Sequence, residues 1–266
     1  TPPLKIKMTK EFILKKAMEQ SAVDSHCLPE RFLADENTVV VSEADPRARI
    51  YLELPFICDL TYYGSGIVAS VSEPLTEKIK GFLTRYSAEH CFKPPAIYDL
   101  NGILSEYGAK VCYIAEYFLP DPVKMKEAES FCEPCAVCSL EILEKEDFGD
   151  LYRKEWGNAL CSARKSSDEI AVAAYVDGEI AALAGASRDC EEMWQIGVDV
   201  RTEFRGLNLG CAVVHKLAAE ILSRGKIPFY CAAWSNIRSV RTALKCGFFP
   251  AWVQLTAKIV EFVDNA

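Results

Sequence analysis

The chain has 266 residues, 50% of them hydrophobic and 26% charged, which is enough to bury one large core or two modest ones. Its formal net charge of −8 and its lack of any long Lys/Arg cluster exclude the concentrated positive charge that a nucleic-acid binder needs. No uninterrupted apolar run approaches the roughly 18 residues of a membrane span, and the first residues lack the apolar segment of a secretory leader, so the expectation is a cytoplasmic protein without a membrane partner.

In chain order, residues 8–26 carry a helical pattern, 38–41 and 48–54 read as strands around the turn Asp45-Pro46, and 67–71 reads as a third strand. A helix opens at Pro74 and runs to about residue 90. A short strand at 96–98, a helix after Asp99 ending at Gly108 and a strand at 111–118 follow. Pro120, Asp121, Pro122 and Pro134 mark 119–134 as a linker, dividing the chain into lobes at 1–134 and 135–266. The second lobe is read as the same order of helix, three strands, helix, strand, helix and strand. Its hairpin joins 171–176 to 179–184 through Asp177-Gly178, and a strand at 194–200 comes next.

Arg205-Gly206-Leu207-Asn208-Leu209-Gly210 leaves that strand and opens an amphipathic helix with Val213, Val214, Leu217, Ala218 and Ile221 on one stripe and Gly225 at its end. A helix start offers unpaired N–H groups and the positive end of a dipole, and Gly206 and Gly210 lack the side chains that would keep an anion away. A strand at 227–234 follows. The next helix is capped by Ser235 or Asn236, buries Ile237, Val240 and Leu244, and ends at Gly247 before a final strand through Trp252 to Ile259.

Over roughly residues 136–262, the loop at this spacing from the Asn-capped helix and Gly247-Phe248 resembles the GNAT superfamily of coenzyme A-dependent N-acetyltransferases. The resemblance implies an α/β fold with a mixed central sheet flanked by helices, and transfer of an acetyl group from acetyl-CoA to a primary amine of a small molecule or peptide by direct attack. It implies that the amides of Arg205, Gly206, Leu207, Asn208, Leu209 and Gly210 hold the coenzyme diphosphate. The strand through Val198 and Val200 would then pair with the pantetheine arm, beside Asn236 and Ser239. Asn208 stands where the family loop has its middle glycine, and Asn accepts a positive φ more readily than other non-glycine residues. Ala243 stands where many members carry a tyrosine as general acid; a coenzyme A thiolate leaves readily near neutral pH without one.

For the base, two-residue alternation puts Glu192 on the face of Trp194, Ile196, Val198 and Val200, with Glu191 and Asp199 on the other. Glu192 is the candidate catalytic residue, and a solvated strand-end carboxylate is the competing reading. Asn208 and Ala243 also leave room for a protein that binds coenzyme A without turnover. The first lobe resembles a degenerate copy of the second, with Ser72-Glu73-Pro74 where glycines would cradle a phosphate; an unrelated α/β cap is the alternative. Of twelve cysteines, only Cys132, Cys135 and Cys138 have ligand spacing. Cys161 lies across a predicted helix from them, and His26, His90 and His215 fall elsewhere, so reduced thiols and no metal are expected. The acceptor and the oligomeric state are not legible.

Overall fold

The computed structural model describes residues 8–134, 136 and 138–265. Its elements are α1 (Lys10–Ser25), β1 (Thr38–Val41), β2 (Cys58–Tyr62), β3 (Ile67–Val71), α2 (Thr76–Arg85), α3 (Pro94–Ser105), β4 (Ala109–Pro120) and α4 (Pro122–Ala128). There follow β5 (Cys138–Glu144), β6 (Asp168–Val176), β7 (Glu179–Arg188), β8 (Met193–Val200), α5 (Leu209–Ser223), β9 (Ile227–Ala233), α6 (Ile237–Lys245), β10 (Phe248–Ile259) and α7 (Val260–Asp264). Two compact units result: the first holds residues 15–117, 233–235 and 251–266, and the second 1–14, 118–232 and 236–250, as far as these are described. Among the described residues no helix is long and apolar enough to cross a membrane.

In the first unit the strands lie in the order β1-β3-β2-β10-β4. β1 runs parallel to β3, while β2 is antiparallel to both β3 and β10, with Leu60 opposite Ala69 on one side and Leu255 on the other. Ile79, Phe82 and Leu83 of α2 fall at helical spacing and are buried, and they pack with Ile67, Ala69, Leu100, Leu104 and Leu255 in one core. A polar network is sunk among these elements. Arg49 donates from Nε to Asp24 Oδ2 at 2.6 Å and from Nη2 to Gln254 Oε1 at 3.2 Å. Gln254 and Thr256 then donate to Asp59 Oδ1 at 2.9 and 2.7 Å, and Thr61 to its Oδ2 at 2.9 Å. The Arg49 guanidinium also lies over the rings of Tyr117 and Trp252, which stack 4.5 Å apart.

In the second unit the order is β9-β8-β7-β6-β5, parallel between β8 and β9 and antiparallel elsewhere. The β6–β7 hairpin turns at Asp177 and Gly178, both at positive φ (50° and 82°), as the dipeptide predicts. Helix α5 packs against β6, β7 and β8 through Val213, Val214, Leu217, Ala218 and Ile221, all fully buried. The strand residues beneath are small, Ala174, Ala182, Ala184 and Ala186 among them, so the helix comes close to the sheet.

The helix expected over 74–90 is shortened to Thr76–Arg85, with 3-10 turns on either side, and four predicted elements differ in kind. Residues 48–54 are not a strand but end in a single 3-10 turn, Ile50–Leu52, because Arg49 turns inward to Asp24; the strand is β2. Residues 96–98 belong to α3, where Pro94 supplies the first helical position and Ala96, Leu100 and Leu104 form a buried i, i+4, i+8 row. The predicted linker contains α4: Asp121 accepts from the Val123 and Lys124 amides at 3.1 and 3.3 Å, so the Asp-Pro pair is a helix cap and its first proline. The second lobe begins with the strand β5, followed by 3-10 turns at Lys145–Leu151, Lys154–Trp156 and Ser162–Ser167 in place of a helix.

Replacing Arg49 by Ala strands the Asp24 carboxylate in the core, and urea unfolding should show a loss of about 3 to 5 kcal/mol; a change under about 1 kcal/mol would mean the pair is solvated. Burial pushes the Asp59 carboxyl up to about 6 against the pull of its Thr256, Gln254 and Thr61 donors. An acid with a raised folded pKa contributes fully below its unfolded pKa, about 3.9, and the contribution is lost as pH rises through about 6. The stability of Asp59→Asn relative to wild type should therefore improve by about 3 kcal/mol between roughly pH 3 and pH 8, as read from urea midpoints at both pH values.

Candidate functional site

Strand β8 is the backbone of the site, and both of its faces are covered. Toward one face lie Trp194, Ile196, Val198 and Val200, which pack in the core that contains α5. On the other face the segment 156–160 runs directly over the sheet at two glycines paired across strands, Gly185 and Gly197. A Cβ on Gly197 would sit 1.8 Å from the Asn158 carbonyl oxygen, and one on Gly185 would sit 2.1 Å from that of Ala159. Asp199 fastens the same segment, accepting from the Asn158 amide at 2.9 Å, the Asn158 Nδ2 at 2.6 Å and the Ala159 amide at 3.0 Å. Trp156, Ala159 and Leu160 then fill a small core with Phe148, Ala171, Ala173 and Leu183.

One edge of β8 is also occupied, since its pairing with β7 continues to Val200, opposite Ala182. The parallel register with β9 runs only from Met193 and Ile227 to Ile196 and Tyr230, although both strands continue beyond those residues. Val198 and Val200 therefore lie where the β9 side of the strand has no in-register partner.

Past the 3-10 turn Thr202–Phe204, Gly206 takes a φ of +89°, a conformation costly for any side chain, and Asn208 takes φ +63°, ψ 11° as the N-cap of α5. The positive φ expected of Asn208 is thus present. Its side chain does not point at an open loop: Nδ2 donates to the Phe131 carbonyl and Oδ1 accepts from Lys245 Nζ, each at 2.7 Å. The first hydrogen bond of the helix joins the Ala212 amide to the Asn208 carbonyl at 3.1 Å, so the amides of Leu209, Gly210 and Cys211 precede the ladder. Leu209 is an anchor, 1% exposed, whereas Arg205, Gly206 and Leu207 are exposed. A Cβ on Gly210 would meet Val200 Cγ2 at 3.4 Å, which is ordinary contact, so the steric demand for glycine is stronger at Gly206.

Asn236 caps α6 as expected, accepting from the Ser239 amide at 3.3 Å. Burial holds the Tyr230 phenol up at about 12, against the pull of the nearby Ser239 hydroxyl. The predicted stripe of α6 is corrected: Ile237 and Leu244 are 52% and 48% exposed, and Ala243 is the fully buried residue. The three candidate carboxylates are separated. Asp199 is committed to the 158–159 segment, and Glu191 pairs with Lys226 Nζ at 3.1 Å, which lowers its pKa. Glu192 lies in the exposed bend ahead of β8, its carbonyl accepting from the Ile227 amide at 2.9 Å. Its carboxylate has no partner among the described residues.

Cys132 is buried, Cys138 opens β5, and Cys135 lies outside the described residues. Among the described residues no group of His, Cys, Asp and Glu is arranged to hold a metal. His215 is tied at Nε2 to the Met125 carbonyl at 2.8 Å, and His90 at Nδ1 to the Ser87 hydroxyl at 2.7 Å. The Asp199 clamp and the Asn208–Lys245 contact were not legible in the sequence. The one signal for the first was a glycine in the middle of each of two neighbouring strands.

A family model described as GNAT acetyltransferase matches residues 107–251. Among solved structures, the chain is similar to a putative GNAT-family acetyltransferase from Novosphingobium aromaticivorans (19% identity, TM-score 0.42, 56% of this chain and 66% of that one). It is also similar to a GCN5-related N-acetyltransferase-like protein from Streptococcus suis (17%, 0.45, 62% and 68%) and a GCN5-related N-acetyltransferase from Kribbella flavida (16%, 0.46, 62% and 66%). The chain thus spans about two thirds of the length of each. No curated protein matches the sequence.

Gly197→Ala should displace the 156–160 segment, with a loss of about 2 to 4 kcal/mol in thermal or urea unfolding and faster amide exchange at Asn158 and Ala159. Unchanged exchange at those two amides would show that the segment does not rest on the glycine.

Proposed function

The chain belongs to the GNAT acetyltransferase family, and from that premise we propose that it moves an acetyl group from acetyl-CoA to a primary amine of a small molecule or peptide. The observation that carries the reading is the loop at the end of β8, where Gly206 and Asn208 at positive φ lead into a helix whose first amides lie outside its ladder. The diphosphate of the coenzyme fits there, on the amides of residues 205–210 and the positive end of α5. The pantetheine arm adds to the β9 side of β8 at Val198 and Val200, beyond the last paired residues, with Asn236 and Ser239 beside it.

The reaction needs a neutral amine in line with the thioester carbonyl and a donor for the developing oxyanion. A β8 amide between residues 198 and 200 supplies the donor. Glu192 is the carboxylate left without a partner among the described residues, Glu191 and Asp199 being engaged elsewhere, and with residues 193–197 of the strand between it and Val198 it takes the amine proton only through a chain of waters. No acid stands at Ala243, which is sealed in the core, so the thiolate departs unassisted by α6. That same alanine favours the second reading, a coenzyme A-binding protein without turnover, which predicts tight binding and no free thiol released with any amine.

We propose one coenzyme per chain, held by the second unit alone. Ser72-Glu73-Pro74 places a carboxylate and a proline in the 3-10 turn that leads into α2, a poor setting for a phosphate. Calorimetry with acetyl-CoA should give a stoichiometry near one, and two would overturn the assignment. Gly210→Glu should abolish binding while circular dichroism stays native, because it puts a negative charge on the anion's site. Unchanged affinity in a folded variant would remove the diphosphate from this loop. In a thiol-release assay over a panel of amines, Glu192→Gln should lower kcat by about a hundredfold with little change in acetyl-CoA affinity; an intact rate at pH 7 would place the base elsewhere.

A further inference from the structure

Three thiols that acetyl transfer does not use meet in the second unit. Cys132 follows the 3-10 turn Glu129–Phe131, Cys211 lies in the first turn of α5, and Cys246 directly follows α6. The Cys246 Sγ donates to the Cys211 carbonyl at 3.4 Å, and the Cys132 Sγ donates to the carbonyl of Lys245 at 3.6 Å. The first contact seats the Cys246 thiol beside Cys211, and both other thiols bear on its titration. All three are unbridged and buried, Cys246 completely, and Cys211 is the most open at 8% exposure.

Cys246 draws down both Cys132 and Cys211, and of the two Cys211 is the more open and sits at a helix start. Cys246 keeps its proton, since its hydrogen bonds to Cys132 and Cys211 and its burial all push its pKa up. Cys211 is brought down to about 7 by the hydrogen bond from Cys246, helped by Lys245 and Thr242 against its burial. The first turn of a helix also favours a thiolate there. A nucleophilic thiolate in contact with a protonated second thiol is the arrangement in which a sulfenic acid is trapped before it oxidises further.

We propose that Cys211 and Cys246 form an oxidisable dithiol site that reacts with hydrogen peroxide to give a disulfide. The Cys211 thiolate attacks one peroxide oxygen and breaks the O–O bond, forming Cys211 sulfenic acid and releasing hydroxide, which takes a proton from solvent. The Cys246 sulfur then attacks the Cys211 sulfur; the S–S bond forms, the S–O bond breaks, and the hydroxyl leaves with the Cys246 proton as water. The two sulfurs lose two electrons in all, and the peroxide is reduced to two waters. The bond ties the first turn of α5 to the end of α6, and its formation does not depend on the acetyl-CoA reading.

The test is peptide mapping under non-reducing conditions after peroxide treatment of the full chain and alkylation of remaining thiols. The expected result is a Cys211–Cys246 cross-link about tenfold or more above any other cysteine pair, reversed by dithiothreitol. Cys132→Ser should retain it, and Cys246→Ser should lose it and send Cys211 on to sulfinic acid. Recovery of Cys211 and Cys246 as alkylated thiols from the folded, peroxide-treated wild type overturns the proposal, as does a dominant cross-link to Cys132. The wild-type map alone decides between these outcomes, so the test stands even where a variant fails to fold.

Discussion

The constraint on which the second unit turns is the close approach of segment 156–160 to strand β8. Two paired glycines, Gly185 and Gly197, admit the carbonyls of Ala159 and Asn158 where any side chain would collide. Asp199 then locks the segment with three hydrogen bonds. With that face closed, α5 on the other and β7 along one edge, β8 can meet a ligand only with its backbone on the β9 side. The chemistry we propose for this strand is accordingly main-chain chemistry, pairing with an amide-bearing arm and donating to an oxyanion, which tolerates wide variation of side chains.

The loop at the end of β8 shows how one substitution is absorbed. Asparagine in place of the family's middle glycine keeps the left-handed backbone turn. Its side chain also gains two partners, the Phe131 carbonyl and the Lys245 ammonium. In a chain of net charge −8, an ammonium held at a loop read as binding a diphosphate is a local countercharge.

The two units reach order by different means. The second packs small strand residues under an apolar helix, with its buried Asp168 held by Ser187. The first threads Asp24, Arg49, Gln254, Asp59 and Thr256 through its interior, each with a partner. Such a network adds little net stability, but misplacing any member leaves a buried group unpaired. It therefore fixes how the last strand pairs: Thr256 must stand opposite Asp59, as it does.

Local rules were enough to read much of this from the sequence. The Asp177-Gly178 hairpin, the buried stripe of α5, the αL asparagine and the Asn236 cap each depend on residues a few positions apart, and each is present. The family likeness rested on the same short-range features. Where the reading failed, a distant partner had overruled a local pattern. Arg49 left a strand-like run for Asp24, and Ala243 took the buried place on α6 that the stripe assigned to Ile237 and Leu244; the Asp121-Pro122 helix cap was instead a local signal read as a linker. Asp199, one of the three carboxylates weighed for the base, became a clamp because Asn158 and Ala159 arrive from some forty residues away. Sequence alone thus determined the elements whose stabilising contacts lie within one turn or hairpin. Tertiary structure decided which charges are engaged and which stay free, because that depends on what the rest of the chain brings beside them.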